Sequence, residues 1–395
     1  MADVPPFQGA TGRATHTVVR QALCARRWAL RVLAGGNPEP APALSAQGWS
    51  LFLEAERCAL ALQRRLGEGA SVLGAGEPVL RHAATLEMMR AMSLQAQLRT
   101  VAPLLRRNGW PGIVLKSGAE LAGGGDPVDV ADVDLLVAPE HAAPLARALE
   151  QEGPYATVGR DAAPGSREWE AAKRLAPGSV MIEIHHSVPY LGPGIDFWAD
   201  PRPTRVAGVL RPAPALHLWH LLVHGVVHHP ERVGTVRDLL LMAAAFRNCS
   251  AGEVAWVRAR TANALVPADL VAMLDAAAAL AAGKPPRDRF EVVAAVRYRL
   301  YLSPQPGALA RVFPRTWPAA FALASGREAY RALWVGSQKS ALVPSAFRGD
   351  TRLDHVAPRL SHLLRTSRRV LLLAASTPGA WMLARGAARD ARSSR

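Results

Sequence analysis

The sequence has few cysteines and few aromatic residues. Cys24, Cys58 and Cys249 are the three cysteines in 395 residues, and aromatic residues make up 6% of the chain. Three cysteines this far apart exclude a CxxC metal clip and an even-numbered disulfide framework, and they are typical of a protein from a reducing compartment. The first residues lack an apolar segment after a basic start, so we expect no secretory signal and a cytoplasmic protein.

Long apolar runs are also lacking. The nearest one, residues 370–384, falls short of the roughly 18 apolar residues of a membrane-spanning helix and contains Pro378-Gly379. Half of the residues are hydrophobic and 20% are charged, which is the composition of a globular chain. We therefore expect no membrane span, and either two or three domains or one core with large helical additions.

Negative charge is scarce relative to positive charge. The net charge of +15 favours anionic partners such as phosphates, whatever their source. Residues 359–395 contribute eight arginines and one aspartate. This basic tail has two interpretations: a solvated, partly disordered end, which we favour, or a patch that binds nucleic acid or anionic lipid.

Apolar residues at helical spacing mark both ends of the chain. They predict helices over residues 15–34, 46–67 and 78–108, and after Pro203 over residues 212–229, 235–246 and 264–282. The third helix is expected to end at Asn108-Gly109, because glycine commonly follows the last helical residue.

The middle of the chain has a different pattern. Residues 112–117 (GIVLKS) form a short β-branched run, and residues 131–138 (ADVDLLVA) and 180–188 (VMIEIHHSV) alternate between polar and apolar, which predicts three strands. Residues 139–153 are amphipathic and predict a helix. The order strand, short helix, strand, helix, strand indicates a small core of α+β class between helical regions.

Two carboxylates lie one residue apart in the second strand. Asp132 and Asp134 share one face of the strand, about 6 to 7 Å apart, because side chains alternate along a strand. Two like charges this close need a cation between them, and hard oxygen ligands suit Mg²⁺. The alternative is an exposed strand end with two solvated aspartates.

Lys116-Ser117-Gly118 lies where the first strand ends and a helix is expected to begin. Small residues at a helix N-terminus let phosphate oxygens approach the backbone amides. The same stretch also fits a capping box between Ser117 and Glu120, which needs no ligand.

Glu183 shares the polar face of the third strand with Met181 and His185. If this strand pairs beside the strand of Asp132 and Asp134, Glu183 completes a group of three carboxylates, a number typical of two-metal phosphoryl-transfer sites. A solvated glutamate is the alternative.

The order of these motifs resembles the bacterial uncharacterised nucleotidyltransferase family, and through it the DNA polymerase β-type nucleotidyltransferase superfamily. The resemblance spans about residues 100 to 245 and rests on Leu115-Lys116, the strand Asp132 to Val137, Glu183-Ile184-His185, His224 and Asp238. It implies a small core with a mixed sheet. It also implies transfer of a nucleoside monophosphate from an NTP to a small-molecule or protein acceptor, with release of pyrophosphate.

By position, the resemblance assigns roles to individual residues. Asp132, Asp134 and Glu183 would be the catalytic residues and would bind Mg²⁺, or Mn²⁺ in its place, and Glu183 would also be the candidate base. The nucleotide would be bound by Lys116, Ser117 and Gly118. The metal-binding residues would in turn be contacted and oriented by His185, His224 and Asp238. Ser117 stands where the family has glycine, and Val128 stands where an arginine is common. Because of these two differences, a descendant of the family that has lost its activity stays an alternative.

The histidines of residues 212–229 have a regular spacing. His217, His220, His224 and His228 recur at intervals of 3, 4 and 4, so they fall on one helical stripe. Zinc binding fits this spacing, but a stripe that lines a cleft and meets carboxylates is favoured. Asp238 either orients one of these imidazoles or forms a surface pair with Arg237, and the surface pair is favoured.

The prediction for the whole chain has three regions: a helical region over residues 1–105, a nucleotidyltransferase core over residues 106–205, and a helical region with the basic tail over residues 206–395. Two alternatives to the small-molecule or protein acceptor stay open. One is an RNA-directed nucleotidyltransferase, which is not favoured, and the other is a non-catalytic nucleotide-binding or regulatory protein on the same fold. Neither the NTP nor the acceptor follows from the sequence.

Overall fold

The computed structural model describes residues 12–36, 40–126, 128–153, 155–157, 168–174, 180–188, 191, 194–229, 232–264, 267–302 and 381–395. The helices are α1 (Gly12–Leu33), α2 (Ala46–Glu56), α3 (Ala59–Leu66), α4 (Glu77–Arg107), α5 (Lys116–Gly123), α6 (Pro139–Glu152), α7 (Pro214–Val223), α8 (Val236–Arg247), α9 (Ala251–Ala262), α10 (Pro267–Ala281) and α11 (Glu291–Leu302). The strands are β1 (Gly112–Val114), β2 (Asp132–Val137), β3 (Tyr155–Thr157), β4 (Glu168–Arg174), β5 (Met181–His185), β6 (Arg202–Pro203) and β7 (Leu210–Arg211).

The strands form one mixed sheet in the order β3-β4-β5-β2-β1-β7-β6. The pairs β2/β5 and β1/β7 are parallel, and the other neighbouring pairs are antiparallel. A mixed sheet with helices before and after it confirms the predicted α+β class. The three predicted strands correspond to β1, β2 and β5, and the predicted helix between the second and third strands is α6.

Strand β2 lies at the centre of the sheet and is covered on both faces. Val133, Leu135 and Val137 belong to a hydrophobic cluster with the C-terminal half of α4 and with α6. On the other face, Leu136 belongs to a cluster shared by helices α1 to α3 and the helices that follow the sheet. Helices from both flanks therefore share one core, and the division of the chain near residues 105 and 205 stays a prediction.

The helix predicted over residues 46–67 consists of two helices. The backbone leaves the helical conformation at Arg57, whose φ is 53°, and the Arg57 side chain forms an ion pair with Asp129. Glu87 of α4 accepts hydrogen bonds from the first two backbone N–H groups of α3, at 3.0 and 2.8 Å. The break thus depends on partners that are distant in sequence, so the helical periodicity across it could not reveal it.

Glu87 is expected to make the stability of the protein depend on pH. Burial raises the pKa of its carboxyl group from 4.5 to about 7, although the hydrogen bonds from the N–H groups of α3 act to lower this pKa. Between these pH values the folded state binds more protons than the unfolded state, so the contribution of Glu87 to the free energy of unfolding falls as the pH rises. We expect this contribution, measured by urea unfolding as wild type minus Glu87→Gln, to fall by about 3 kcal/mol from pH 4.5 to about pH 8.

A matched control for this prediction is Glu68→Gln, because Glu68 is exposed in the 3-10 segment that joins α3 to α4 (Gly67–Gly76). The difference between wild type and this control should not change over the same pH range. A constant difference for Glu87→Gln would mean that the two N–H groups keep Glu87 ionised in spite of its burial.

The described end of the basic tail is helical and packs on the protein. Residues 381–393 form a helix in which Asp390 is fully buried. Asp390 pairs with His16 of α1 and, at 2.5 Å, with Arg299 of α11. The four arginines of residues 381–395 are exposed, as the favoured interpretation of a solvated end expects, but this segment is helical and not disordered; residues 359–380 lie outside the described part.

Some elements were not predicted. The sequence patterns missed β3, β4, β6 and β7, which are either short edge strands or, for β4, a strand without clear alternation. They also missed α9, although Ser250 and Glu253 form a capping box at its start that the sequence displays. The predicted end of α4 is confirmed, since Gly109 has a φ of 65° directly after Asn108. None of the described helices is long and apolar enough to span a membrane.

Candidate functional site

The carboxylates of β2 and β5 lie side by side. The two strands are parallel and in register, with Asp134 opposite Glu183 and Asp132 opposite Met181. The pairing on which the three-carboxylate prediction depended is therefore present. Asp132, Glu183 and His185 line one cavity of about 250 Å³.

Lys116 lies at the centre of this group. It is the first residue of α5 and has a φ of 51°, an uncommon backbone conformation for a residue other than glycine. Its Nζ donates a hydrogen bond to Asp134 Oδ1 at 2.6 Å. Burial would lower the pKa of Lys116, but the attraction of Asp134 raises it above its ordinary value. The ammonium group is thus a cation among the carboxylates.

Asp134 is held by two cationic neighbours. Its side chain is 2% exposed, and besides Lys116 it accepts from His185 Nε2 at 3.0 Å. Burial alone would raise the pKa of Asp134, but the Lys116 ammonium and the His185 hydrogen bond lower it well below its usual value. Burial likewise opposes the charged form of His185, but its bonds to Asp134 and Glu183 raise its pKa to about 9. At neutral pH the ionised Asp134 carboxylate therefore bonds the Lys116 ammonium and the His185 imidazolium.

Asp132 has the opposite environment from Asp134. Burial and then repulsion from Asp134 raise the pKa of Asp132 to about 6, against the attraction of Lys116. The two aspartates therefore differ widely in acidity, although they are two residues apart on one strand. Asp132 gives up its proton more readily once a further cation enters the cavity.

The group has the donor atoms of a metal site. Asp134, Glu183 and His185 each offer one ligand atom, and these atoms lie within 4.8 Å of one another. Two carboxylates and one imidazole fit a divalent ion, and its binding to His185 would require the imidazolium to lose its proton. This set has His185 in place of the predicted Asp132, which lines the same cavity. The assignment of the metal to Asp132, Asp134 and Glu183 stays a prediction.

Helix α8 brings Arg237 and Asp238 to the same cavity. Arg237 Nε donates to the backbone oxygen of Asp129 at 2.7 Å, its Nη1 donates to Asp238 Oδ1 at 2.7 Å, and its Nη2 lies 3.5 Å from Ser117 Oγ. Both Arg237 and Asp238 are buried. The favoured interpretation of Asp238 as part of a surface pair is therefore wrong. No sequence signal singled out Arg237 beyond its place in an apolar helix.

Asp129 fixes the loop that enters β2. Its side chain is fully buried, and its carboxylate is held by Arg57 and, at 2.6 Å, by Arg90. With Arg237 on its backbone oxygen, Asp129 connects the break between α2 and α3, helix α4 and helix α8. These contacts fix the position of the loop and therefore of Asp132, which follows the loop and lines the cavity.

Comparison with known families agrees with this geometry. The profile of a family described as uncharacterised nucleotidyltransferase matches residues 59–281, which is more than half of the chain. The protein belongs to this nucleotidyltransferase family. The matched segment runs from α3 into α10 and contains the whole sheet and every residue of the cavity. No curated protein matches the chain.

The histidine stripe of this family member is interrupted. Helix α7 ends at Val223, and a π-helical turn (His224–His228) follows it. The extra residue in this turn brings His229 beside His224, with the backbone N–H of His229 bonded to His224 O at 2.9 Å and the rings 4.6 Å apart. Both residues line the cavity. The side chain of His228, the predicted fourth member, lies outside the described residues.

The other members of the stripe face different partners. His217 Nε2 lies 3.1 Å from Glu120 Oε1, and the ring of His220 meets the edge of Phe197. Burial, followed by repulsion from Lys116, lowers the pKa of His220 well below its usual value. Among the described residues, the stripe forms no group with metal-ligand spacing. Of the predicted stripe, His224 lines the cavity and His217 lies beside a carboxylate, and the interpretation of the stripe as a whole stays a prediction.

The start of α5 differs from the alternative proposed for it. Leu115 is the N-cap residue, and no side chain caps the helix. Ser117 lies inside the first turn, so the capping box between Ser117 and Glu120 is wrong. Gly118 packs on β1 so closely that a Cβ atom there would lie 2.5 Å from Val114 Cγ2. Gly118 is thus required for packing, whatever its role toward a nucleotide.

Position 128, where the resemblance leads to the expectation of an arginine, provides no charge to the cavity. Val128 is buried and belongs to a hydrophobic cluster. Arg232 and Arg237, which come from after the π-helical turn, line the cavity instead. Guanidinium groups are therefore present at the site although position 128 provides none.

Proposed function

We propose that this protein transfers a nucleoside monophosphate from an NTP to a small-molecule or protein acceptor and releases pyrophosphate, with Mg²⁺, or Mn²⁺ in its place. The observation that carries the proposal is the register of β2 and β5. It places Asp132, Asp134 and Glu183 on neighbouring parallel strands beside the N-terminus of α5. Family membership supports the nucleotide as substrate.

The triphosphate would lie between α5 and α8. The first backbone N–H groups of an α-helix have no acceptor within the helix. In α5 the first helical hydrogen bond is donated by Ala119 N to Leu115 O, so the N–H groups before Ala119 have no acceptor within the helix. The amides of Ser117 and Gly118 are therefore suited to phosphate oxygens. Lys116 and Arg237 add positive charge. A cavity of about 250 Å³ is below the roughly 300–1,000 Å³ of most ligand sites, so it suits phosphates rather than a whole nucleotide.

Asp132, Asp134 and Glu183 would hold the divalent ion, which stabilises negative charge on the transferring phosphate when bound. The acceptor must also lose a proton. Asp134 is already engaged by Lys116 and His185, whereas the side chain of Glu183 is 29% exposed. Glu183 is therefore the better placed of these two carboxylates to take that proton, with His185 Nε2 3.6 Å away to orient it.

Two further parts of the proposal concern origin and location. The order of the site motifs resembles the DNA polymerase β-type superfamily, and we place the protein on that lineage. The three cysteines are free thiols, which supports a cytoplasmic location.

A non-catalytic nucleotide-binding protein is the second candidate. One observation favours it: Lys116 and His185 already neutralise Asp134, so the carboxylates are stable without an added ion. Such a protein would bind an NTP without turnover. The RNA-directed alternative stays a prediction.

The test is incubation of the purified protein with Mg²⁺ and each α-labelled NTP, followed by measurement of labelled product and of released pyrophosphate. We expect wild type to release pyrophosphate with at least one NTP. The rate of Asp132→Ala/Asp134→Ala should fall by at least about 10³-fold, because this variant lacks the aspartates that would hold the divalent ion beside the transferring phosphate.

The matched control is Asp126→Ala/Asp275→Ala, which removes two exposed aspartates. It should keep the wild-type rate. If the protein binds NTP in a magnesium-dependent manner but releases no pyrophosphate, it is the non-catalytic binding protein and not the enzyme. If it neither binds NTP nor releases pyrophosphate, both candidate functions are rejected.

A further inference from the structure

A second cleft lies at the far end of α5. It has a volume of about 490 Å³ and is formed by α4, the end of α5 and the loop between β6 and β7. Three arginines line it: Arg99 and Arg106 from α4 and Arg205 from the loop. Its lining contains no aspartate and no glutamate.

The charges of these arginines are not compensated within the described part of the chain. None of the three forms an ion pair with a described carboxylate, whereas Arg90 and Arg107 on the same helix pair with Asp129 and Glu152. Like charges around one cleft repel each other, and this repulsion is relieved by an anion. The cleft is therefore a candidate anion site.

The end of α5 explains only one of the three arginines. Arg205 lies against Gly124, where a Cβ atom would be 2.0 Å from Arg205 Cζ, and a guanidinium there stabilises the negative end of the helix dipole. Arg99 and Arg106 come from another helix. They are seven residues apart, which places them about two turns apart on one face of α4. The helix dipole does not account for this pair.

We propose that this cleft binds a small phosphorylated molecule, with its phosphate held by Arg99, Arg106 and Arg205. Guanidinium groups match phosphate geometry and keep their charge at every physiological pH. Leu98, Leu121 and the loop residue Val206 supply an apolar wall for the carbon skeleton.

The shape of the cleft favours a small molecule over a nucleic acid. Its volume lies within the roughly 300–1,000 Å³ of small-molecule sites. Proteins that bind single-stranded nucleic acid stack the bases on aromatic side chains, and no aromatic residue lines this cleft.

The cleft is separate from the carboxylate cavity. The two share no lining residue, and the nearest lining residues along α5, Lys116 of the cavity and Leu121 of the cleft, are about 7.5 Å apart along the helix axis. Binding at the cleft does not depend on the proposed nucleotide transfer and is tested without an NTP.

The experiment is calorimetric titration with inorganic phosphate and with ribose 5-phosphate, at constant ionic strength and with EDTA present. We expect saturable binding of both to wild type. Arg99→Gln/Arg106→Gln, which changes two exposed side chains and should fold normally, is expected to weaken binding by at least about tenfold.

Two controls locate the site. Arg20→Gln/Arg247→Gln removes the same charge from exposed positions on α1 and α8 and should bind as wild type does. Asp132→Asn should also retain binding, since the cleft does not contain Asp132 and this variant keeps the buried pair of Asp134 and Lys116.

Four results would overturn the proposal. They are the absence of saturable binding, equal binding by Arg99→Gln/Arg106→Gln, equal weakening by the charge control, and loss of binding in the aspartate variant. A labelled single-stranded oligonucleotide forms a separate arm. If it alone binds wild type and fails to bind Arg99→Gln/Arg106→Gln, the occupant is a nucleic acid and the small-molecule proposal is wrong.

Discussion

Replacing Lys116 with methionine is expected to lower the free energy of unfolding by about 3–5 kcal/mol, because it removes one of the two cationic neighbours of the buried Asp134 carboxylate. The ammonium bonds Asp134 at 2.6 Å and is also attracted by Asp132 and Glu183. If these carboxylates hold a divalent ion, Mg²⁺ or Mn²⁺ should restore part of the lost stability. Urea unfolding of wild type and variant, with and without each ion, measures both effects.

The control is Lys284→Met, which removes an exposed lysine and should be as stable as wild type with and without metal. Nucleotidyl transfer by Lys116→Met should fall by about 10²–10³-fold, the usual effect of removing one group that stabilises developing charge. A variant as stable as wild type in EDTA would show that Lys116 is not the counter-ion of the carboxylates. If metal stabilises neither wild type nor Lys116→Met, there is no ion at Asp134 and Glu183.

Replacing Glu56 with alanine is expected to lower the free energy of unfolding by about 3–5 kcal/mol as well, for a reason that has nothing to do with the nucleotide. Glu56 is fully buried and accepts from Arg26 of α1, Arg297 and Tyr298 of α11, and the backbone N–H of Val236 at the start of α8. Without its carboxylate, two buried guanidinium groups lose a partner. Urea unfolding measures the change.

Glu54→Ala is the matched control, since Glu54 lies on the same helix and is exposed. It should change the free energy of unfolding by less than about 0.5 kcal/mol. A loss of less than about 1 kcal/mol for Glu56→Ala would mean that water or neighbouring groups replace the carboxylate. Because Val236 precedes Arg237, we also expect weaker NTP binding by Glu56→Ala than by the control.

The sequence predicted the local parts of the site correctly. Alternation along residues 131–138 placed Asp132 and Asp134 on one strand face, and the change from a β-branched run to a helical pattern placed the start of a helix at Lys116. Both predictions rest on periods of a few residues, which the sequence displays directly. The resemblance to the nucleotidyltransferase family was confirmed, and it rested on the same short motifs.

What the sequence missed depends on contacts between distant residues. The break at Arg57 requires Asp129 and Glu87, and the position of Arg237 in the cavity requires the loop before β2. The sequence predicted a metal ion among the carboxylates, which stays a prediction, and it did not show that the Lys116 ammonium at the start of α5 bonds Asp134 there. A π-helical turn, which no spacing of histidines reveals, brought His229 to the cavity.

The sequence by itself determined the class of the core, the face on which the aspartates lie and the family to which the chain belongs. These features follow from residue order within single strands and turns, where side-chain direction is fixed by backbone geometry. Only the tertiary structure decided that Glu183 lies opposite Asp134, that Lys116 and His185 neutralise Asp134, and that three arginines meet at a second cleft. Register, burial and charge pairing arise between segments far apart in the chain, so they exist only once the chain has folded.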